Sequence, residues 1–595
     1  MGKMRDIKLF LQMTGWTRHI RLLLLSLAVG VISGLGAILF DELLHTALKY
    51  FINLPTGYTE PARAHPVAAI LGFGPPHSYL LLIIPTLGGL ASGLLVYLIA
   101  PEAEGHGTDA MIEAFHQRAG YIRRRVPFVK ILASALTIGS GGSAGKEGPI
   151  AQIGAGFGSF LGSALKLKPR ERRVLVLAGA AAGIGAIFRA PLGAALFAPE
   201  VLYREMELES EAILPCVVAS IVAFSIFSLL YSHGALFFPG PVDFTLPTEL
   251  LPYAVFGVVC ALAGYLYVRV FYGLRDYFFK LLPLPRLFKP AVGGLMLGLI
   301  IFYYPQVSST GYGWVQMAME GKIFWQTMLL LACLKILATS CTISSGGSGG
   351  VFGPSVFIGA MLGGAFGYLG QKLAPGWVIN PNSFVLVGIG GFFAGVAKVP
   401  LASIIMACEM CASYTLLVPL MLVSSISYVL LGKTTLYEKQ MISRIASPAH
   451  VAEFARGLLR EMYVYQAVNQ RPLTLIQEKT ALGELIKVVT ASPEAHFPVV
   501  NEQGKMTGIL SINDIREVLF EESLNHIILA KDVATPNVER VFWSDTLQEA
   551  LDKMGALQLD ELPVVKQEAP EEIIAMISKR DIISYYHSQG KREGL

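Results

Sequence analysis

Between residues 20 and 431 the chain is a succession of long apolar stretches, at 20–40, 79–100, 174–200, 211–231, 250–272, 286–303, 323–341 and 415–431. Hydrocarbon offers no partner for backbone N–H and C=O groups, so segments of this kind must be helices that satisfy their own polar groups. A bilayer crossing takes about 20 apolar residues. Several of these stretches are shorter, or broken by Gly and Pro, which points to interrupted or re-entrant helices buried inside protein. Charge divides the chain the same way. Residues 1–440 carry 31 basic and 21 acidic side chains, and residues 441–595 carry 16 and 22. Only the second segment reaches the roughly 25% charged content of a soluble domain, so a single soluble globule is excluded. The chain reads as a mildly basic membrane domain, 1–440, followed by a mildly acidic soluble tail. Basic residues at Lys3, Arg5, Lys8, Arg18 and Arg21, at Arg123-Arg124-Arg125, and at Lys166, Lys168, Arg170, Arg172 and Arg173 favour the cytoplasmic side. With the tail on that side too, the number of full crossings is even, and the N-terminal stretch reads as retained rather than cleaved.

The membrane part repeats itself. Residues 130–149 read KILASALTIGSGGSAGKEGP and residues 335–354 read KILATSCTISSGGSGGVFGP, 13 identities in 20 ungapped positions at an offset of 205. An echo follows, Ala190-Pro191-Leu192 then Glu200 against Val399-Pro400-Leu401 then Glu409. Duplicated halves in a polytopic protein mark a transporter-type fold whose site lies where the repeats meet. Both repeated loops are rich in Gly and Ser and end in Gly-Pro ahead of an apolar helix. Converging backbone N–H groups and helix N-termini supply partial positive charge there. Partial charges attract an anion without holding it as tightly as a buried Lys or Arg, which suits transport. A phosphate-binding P-loop fails on spacing, because Ser140 stands five residues before Gly145 and Glu147 follows Lys146. Glu147 itself stands out. A carboxylate at such a helix start satisfies the N–H groups an anion would use, so it competes with the anion until protonation releases it. The matching position in the second half is Phe352.

The tail alternates β-type runs with amphipathic helical stretches and is duplicated in turn. His496–Val500 leads to Gly508–Ile515, and Glu561–Val565 leads to Ala575–Ile582, each copy having a Ser with Asp three places on, Ser511/Asp514 and Ser578/Asp581. That spacing suits helix N-capping. All six cysteines lie in apolar surroundings outside the tail, so no disulfide framework is expected. Cys408 and Cys411 form a CxxC without the second pair that structural zinc requires, and no metal site is expected.

Taken together, Gly145-Lys146-Glu147-Gly148-Pro149 resembles the G(K/R)EGP signature of the CLC chloride channels and chloride/proton exchangers, and Gly350-Val351-Phe352-Gly353-Pro354 resembles that family's GxFxP signature. The tail is similar to the tandem CBS domains of many members. The resemblance implies a polytopic α-helical membrane protein with an inverted repeat, its halves at about 20–235 and 250–435, then a linker at 441–461 and a cytoplasmic α/β CBS pair at 462–524 and 529–588. It implies Glu147 as the external gate, backbone amides of Val351 and Phe352 along the anion pathway, and Tyr414 as the tyrosine facing the central anion. The family's GSGIP loop falls on Gly105-His106-Gly107-Thr108-Asp109, where His106 replaces the serine, either donating N–H to an anion or turning aside while the loop uses its backbone. The exchangers' inner proton glutamate falls on Val201, with Glu200 one place earlier. A valine there leans the reading toward a gated chloride channel, with a proton-coupled exchanger as the alternative and a CBS-regulated divalent-cation transporter or a membrane-anchored nucleotide sensor as more distant ones. Ser511, Asp514, Ser578 and Asp581 match the Ser/Thr-x-x-Asp of nucleotide-binding CBS pairs, so an adenine nucleotide is the one cofactor suggested and none is required. The expected partners are chloride or a similar anion, protons in the exchanger reading, the bilayer and a second copy in a homodimer, with no nucleic acid and no catalysis. The expected location is the plasma or inner membrane, with N-terminus and tail cytoplasmic.

Overall fold

The computed structural model describes residues 18–61 and 78–592, apart from 232–233, 241, 243, 245, 379, 451–456, 458, 469–471, 493, 517–524, 537 and 558. Lys3, Arg5 and Lys8, and the end of the first expected CBS segment, lie outside the described residues. The chain forms two compact units, 1–449 and 450–595.

Among the described residues, the first unit holds sixteen helices of eight residues or more, in two sets of eight. The first set is α1 (Arg18–Leu48), α2 (Leu80–Ile99), α3 (Thr108–His116), α4 (Val126–Gly139), α5 (Glu147–Ala164), α6 (Pro169–Phe188), α7 (Pro191–Glu200) and α8 (Ser210–Ser228). The second is α9 (Leu250–Gly273), α10 (Lys289–Tyr303), α11 (Tyr312–Met319), α12 (Trp325–Ser344), α13 (Phe352–Leu373), α14 (Pro381–Ala397), α15 (Pro400–Cys411) and α16 (Leu417–Leu430). Among the described residues, seven helical segments are long and apolar enough to cross a bilayer, and they include α1, α2, α8, α9, α10, α12 and α13. Leu35, Leu39, Leu98 and Leu262 face outward from three of these helices, as a lipid-facing surface requires. The apolar stretch at 174–200 is two helices rather than one. Arg189 adopts a left-handed conformation (φ 57°) and Pro191 starts α7; Lys398 (φ 60°) and Pro400 repeat that break between α14 and α15.

The halves are inverted and locked together by reciprocal contacts. Gly145 N–H donates to the Gly350 carbonyl at 2.7 Å and Gly350 N–H returns the bond at 2.6 Å. Ser134 bonds Ser348 at 2.9 Å while Ser143 bonds Thr339 at 3.0 Å, and the offset of the repeat turns each of these bonds into the other. Within each half, helices meet backbone to backbone. A Cβ on Gly154 of α5 would sit 2.0 Å from the Gly179 carbonyl of α6, and one on Gly359 of α13 would sit 2.2 Å from the Gly388 carbonyl of α14. Only glycine permits that approach.

The second unit contains a four-stranded sheet, β1 (Ile476–Gln477), β2 (His496–Val500), β3 (Met506–Ser511) and β4 (Thr535–Pro536), and a three-stranded one, β5 (Val541–Phe542), β6 (Glu561–Val565) and β7 (Ile573–Ser578). In both, a parallel pair is followed by an antiparallel hairpin with the same irregularity near its turn. Residues 441–449, expected to be linker, belong to the first unit. Met441 N–H bonds the Leu202 carbonyl at 3.1 Å, His116 bonds Ser447 at 2.7 Å, and Arg173 reaches the Ala449 carbonyl at 3.3 Å.

Candidate functional site

The site lies where the Gly-rich turns cross. The crossing at Gly145 and Gly350 brings together the starts of α5, at Glu147, and α13, at Phe352. The short helices α3 and α11 also begin nearby, at Thr108 and Tyr312, each after a glycine of positive φ, Gly107 (82°) and Gly311 (76°). The starts of α5 and α13 thus present helix-end N–H groups to one place, an arrangement suited to negative charge, with the starts of α3 and α11 beside them. Glu147 occupies it. Its side chain is 2% exposed; Oε2 accepts from Gly353 N–H at 3.2 Å, and Oε1 accepts from the Tyr312 hydroxyl. The adjoining cavity, lined by Thr108, Glu147, Phe188, Phe197, Phe352 and Tyr437 among others, has about 10 Å³ of free volume, about the least that admits one water-sized sphere.

Larger cavities neighbour this constriction. One, of about 350 Å³, is lined by Gly105, His106, Gly107, Asp109, Arg123 and Arg275 among others. The other, of about 520 Å³, is lined by Asp41, His45, Lys146, Arg189 and Tyr312 among others. Lys146 is paired with Asp41 at 2.7 Å.

Two buried lysines set the loops that precede α3 and α11. Lys130 donates to the carbonyls of Ala103 (3.0 Å) and Gly105 (2.7 Å); its repeat-mate Lys335 donates to Val307 (3.0 Å) and Ser309 (2.7 Å). The loop 101–107 is therefore repeated at 305–311, at an offset of 204. That is one residue short of the offset that aligns the glycine turns.

Of the residues singled out from sequence, Glu147 and Phe352 share the constriction, and Phe352 packs its ring against Phe188, Phe197 and Phe393. Val351 is buried beside it without lining the cavity. His106 is 8% exposed. Its Nε2 lies 3.2 Å from Asp109, its Nδ1 is buried without a partner, and its ring is 5.3 Å from that of Tyr437. It lines the larger cavity and not the constriction, which Thr108 borders instead.

Tyr414 does not belong to the site. It is 54% exposed in the turn between α15 and α16, while Tyr437, 1% exposed, lines the cavity. Tyr437 lies past the last helix, in a segment drawn back into the core. There Gln440 donates to the carbonyls of Val201 (3.0 Å) and Ala397 (2.9 Å), and Leu436 N–H bonds Val396. Nothing periodic marks such a residue.

Glu200 also has another task. It is 2% exposed and accepts from the N–H groups of Leu401 (3.0 Å) and Ala402 (2.7 Å), capping α15. Glu409 does the same for α7 through Leu192 (3.2 Å) and Gly193 (2.7 Å). Val201 is fully buried. In the tail, the backbone N–H groups of Ser511 and Ser578 donate to Asp514 (2.7 Å) and Asp581 (3.1 Å), as in a capping box, and the two hydroxyls bond the same carboxylates at 2.8 and 2.6 Å. No group of three or more His, Cys, Asp or Glu arranged to hold a metal occurs among the described residues.

The voltage-gated chloride channel family profile matches residues 88–432, and CBS domain profiles match 466–521 and 530–588. The chain belongs to the voltage-gated chloride channel family, the CLC family. A putative chloride channel protein, ClcB-like, of Ralstonia nicotianae is 32% identical over 405 residues, covering 67% of this chain and 91% of its own. Chloride channel protein CLC-e of Arabidopsis thaliana is 27% identical over 544 residues, covering 82% and 75%. Among solved structures, a slow cyanobacterial Cl⁻/H⁺ antiporter superposes with a TM-score of 0.61 at 24% identity, covering 74% of this chain and 99% of its own. A CLC-type fluoride/proton antiporter gives 0.60 at 24% identity (71% and 98%), and a eukaryotic CLC transporter gives 0.57 at 19% identity (94% and 98%). These three share the fold. The chain is thus an integral membrane protein of the CLC anion-transport fold carrying a C-terminal CBS pair.

Proposed function

We propose that this CLC protein passes chloride or a similar small anion through a pathway gated by Glu147. The observation that carries the reading is the placement of that carboxylate, seated where the starts of α5 and α13 meet and bonded to the Gly353 amide where a bound anion would compete with it. Protonation removes the charge that those N–H groups hold, and an anion takes the vacated place. Phe352, Thr108 and Tyr437 form the inner wall, and the Gly105–Gly107 loop with His106 forms the mouth toward the larger cavity. We orient the basic segments 123–125 and 166–173, and with them the tail, toward the cytoplasm of the plasma or inner membrane. Arg173 bonds the Ala449 carbonyl at the end of the first unit, which fits that shared side. The functional molecule is proposed to be a homodimer in the bilayer with one pathway per copy.

Passive conductance is the favoured mode. Val201 is aliphatic, and both carboxylate oxygens of Glu200 are engaged by the α15 amides, which leaves no free inner carboxylate on α7 to load protons. Proton-coupled exchange is the second reading, favoured by two fold neighbours described as antiporters. Purified protein in liposomes under a pH gradient separates them. A channel gives a reversal potential equal to the chloride equilibrium potential, and a shift with the proton gradient overturns the channel assignment. In the CBS pair an adenine nucleotide would have to replace the Ser511–Asp514 and Ser578–Asp581 bonds, and the proposed transport does not depend on one.

A further inference from the structure

We infer that Tyr312 is a positioning residue for the Glu147 gate, its phenol hydroxyl holding the carboxylate in the seated state. The inference rests on the reading of Glu147 as a protonatable gate.

The repeat explains why a hydroxyl stands there. Thr108 and Tyr312 are the first residues of the matched short helices α3 and α11. Each follows a positive-φ glycine, and each preceding loop is fastened by a buried lysine through two carbonyls at matching places. The inverted halves thus deliver two hydroxyls to the neighbourhood of one carboxylate. Thr108 lines the constriction with Glu147 and Tyr437, while Tyr312 lines the 520 Å³ cavity and donates to Glu147 Oε1. The Tyr312 ring is set by α11 itself, whose start is held by Glu60 accepting from Gly311 N–H at 3.2 Å, and by edge contact with Phe237, ring centroids 5.5 Å apart. A donor fixed in this way favours the charged, seated carboxylate over the neutral, released one.

Other charged and titratable groups face the same place. Lys146 immediately precedes Glu147 at the start of α5 and is paired with Asp41. Lys335 on α12 and Tyr437 lie within electrostatic range of the carboxylate, and Glu60 lies within range of Tyr312. Of these, Tyr312 and the Gly353 amide donate hydrogen bonds to it.

The test is chloride flux from liposomes against pH for the full chain, for Glu147→Gln, for Tyr312→Phe and for the double variant. A further protein carries a ring-fluorinated tyrosine, a stronger donor, at 312. Tyr312→Phe keeps the ring and its Phe237 contact, so the fold is retained. The expected result is a half-maximal flux pH about one unit higher in Tyr312→Phe, tenfold in proton concentration, and a lower one with the fluorinated ring. The two proteins carrying Glu147→Gln should both be flat with pH. If Glu147→Gln is flat but neither change at 312 moves the midpoint, the gate stands and Tyr312 merely packs against Phe237. A Tyr312→Phe effect that persists in the Glu147→Gln background also overturns the inference. If Glu147→Gln keeps its pH dependence, the gate reading and this inference fall together.

Discussion

The side chains that matter most in this molecule are those whose polar ends have been taken away from water and given one fixed partner. Tyr437 and Tyr414 make the contrast. Both are tyrosines near the end of the membrane unit, but one is drawn into the core beside Glu147 and the other faces outward. Tyr437→Phe should change the anion selectivity of flux, measured as chloride against nitrate permeation, because it removes a hydroxyl from the constriction wall. Tyr414→Phe should leave selectivity unchanged, and a selectivity change in Tyr414→Phe alone would reverse the assignment. The motif-bearing residues Glu147 and Phe352 were legible in sequence because their helix starts are spelled out twice. Tyr437 was not, since its position depends on Gln440 bonding carbonyls some 40 and 240 residues away in the chain. Thr108 and Tyr312 were hidden by the one-residue slip between the two offsets of the repeat.

Helices in this protein finish one another. α7 and α15 each open with proline and each carry a glutamate ten residues in, and each glutamate caps the opposite helix. From sequence, Glu200 reads as a candidate near a proton route, because chain order says nothing about which helix start lies across the interface. Removing it exposes the arrangement. Glu200→Ala leaves the half-buried Leu401 N–H and the buried Ala402 N–H of α15 without that acceptor, at a cost of about 1–3 kcal/mol for the buried one. Thermal unfolding in detergent should drop clearly for Glu200→Ala and less for Glu200→Gln, which keeps one oxygen acceptor. An undiminished unfolding temperature in the alanine variant would count against the capping role. The long lipid-facing helices were readable as apolar stretches, but the short or glycine-rich ones between 108 and 164 and between 312 and 411 were not, and at 174–200 Arg189 in a left-handed conformation splits one apolar run into two helices.

At the scale of the whole chain, two duplications of different character are joined end to end. The CBS pair has its own contact between copies, His496 Nδ1 to Glu561 at 3.1 Å, linking the first residues of β2 and β6. The hydrogen bond that His496 donates to Glu561, opposed by partial burial, raises the His496 pKa above its ordinary value. A group whose folded pKa is raised stabilises the fold fully below its unfolded value of about 6.5 and loses that contribution as pH climbs through the folded one. The tail's unfolding transition in the full-length protein should therefore move to lower temperature from mildly acidic to mildly alkaline pH. His496→Asn should remove that slope, and an identical slope in the variant would point to other groups. The membrane unit's duplication goes deeper. Because the two bonds at Gly145 and Gly350, the two hydroxyl pairs and the two capping glutamates all run from one half to the other, neither half possesses the acceptors and donors that complete it. Either half alone would need an upside-down twin in the same membrane, so the fused chain supplies covalently a partner that separate halves would have to find by diffusion.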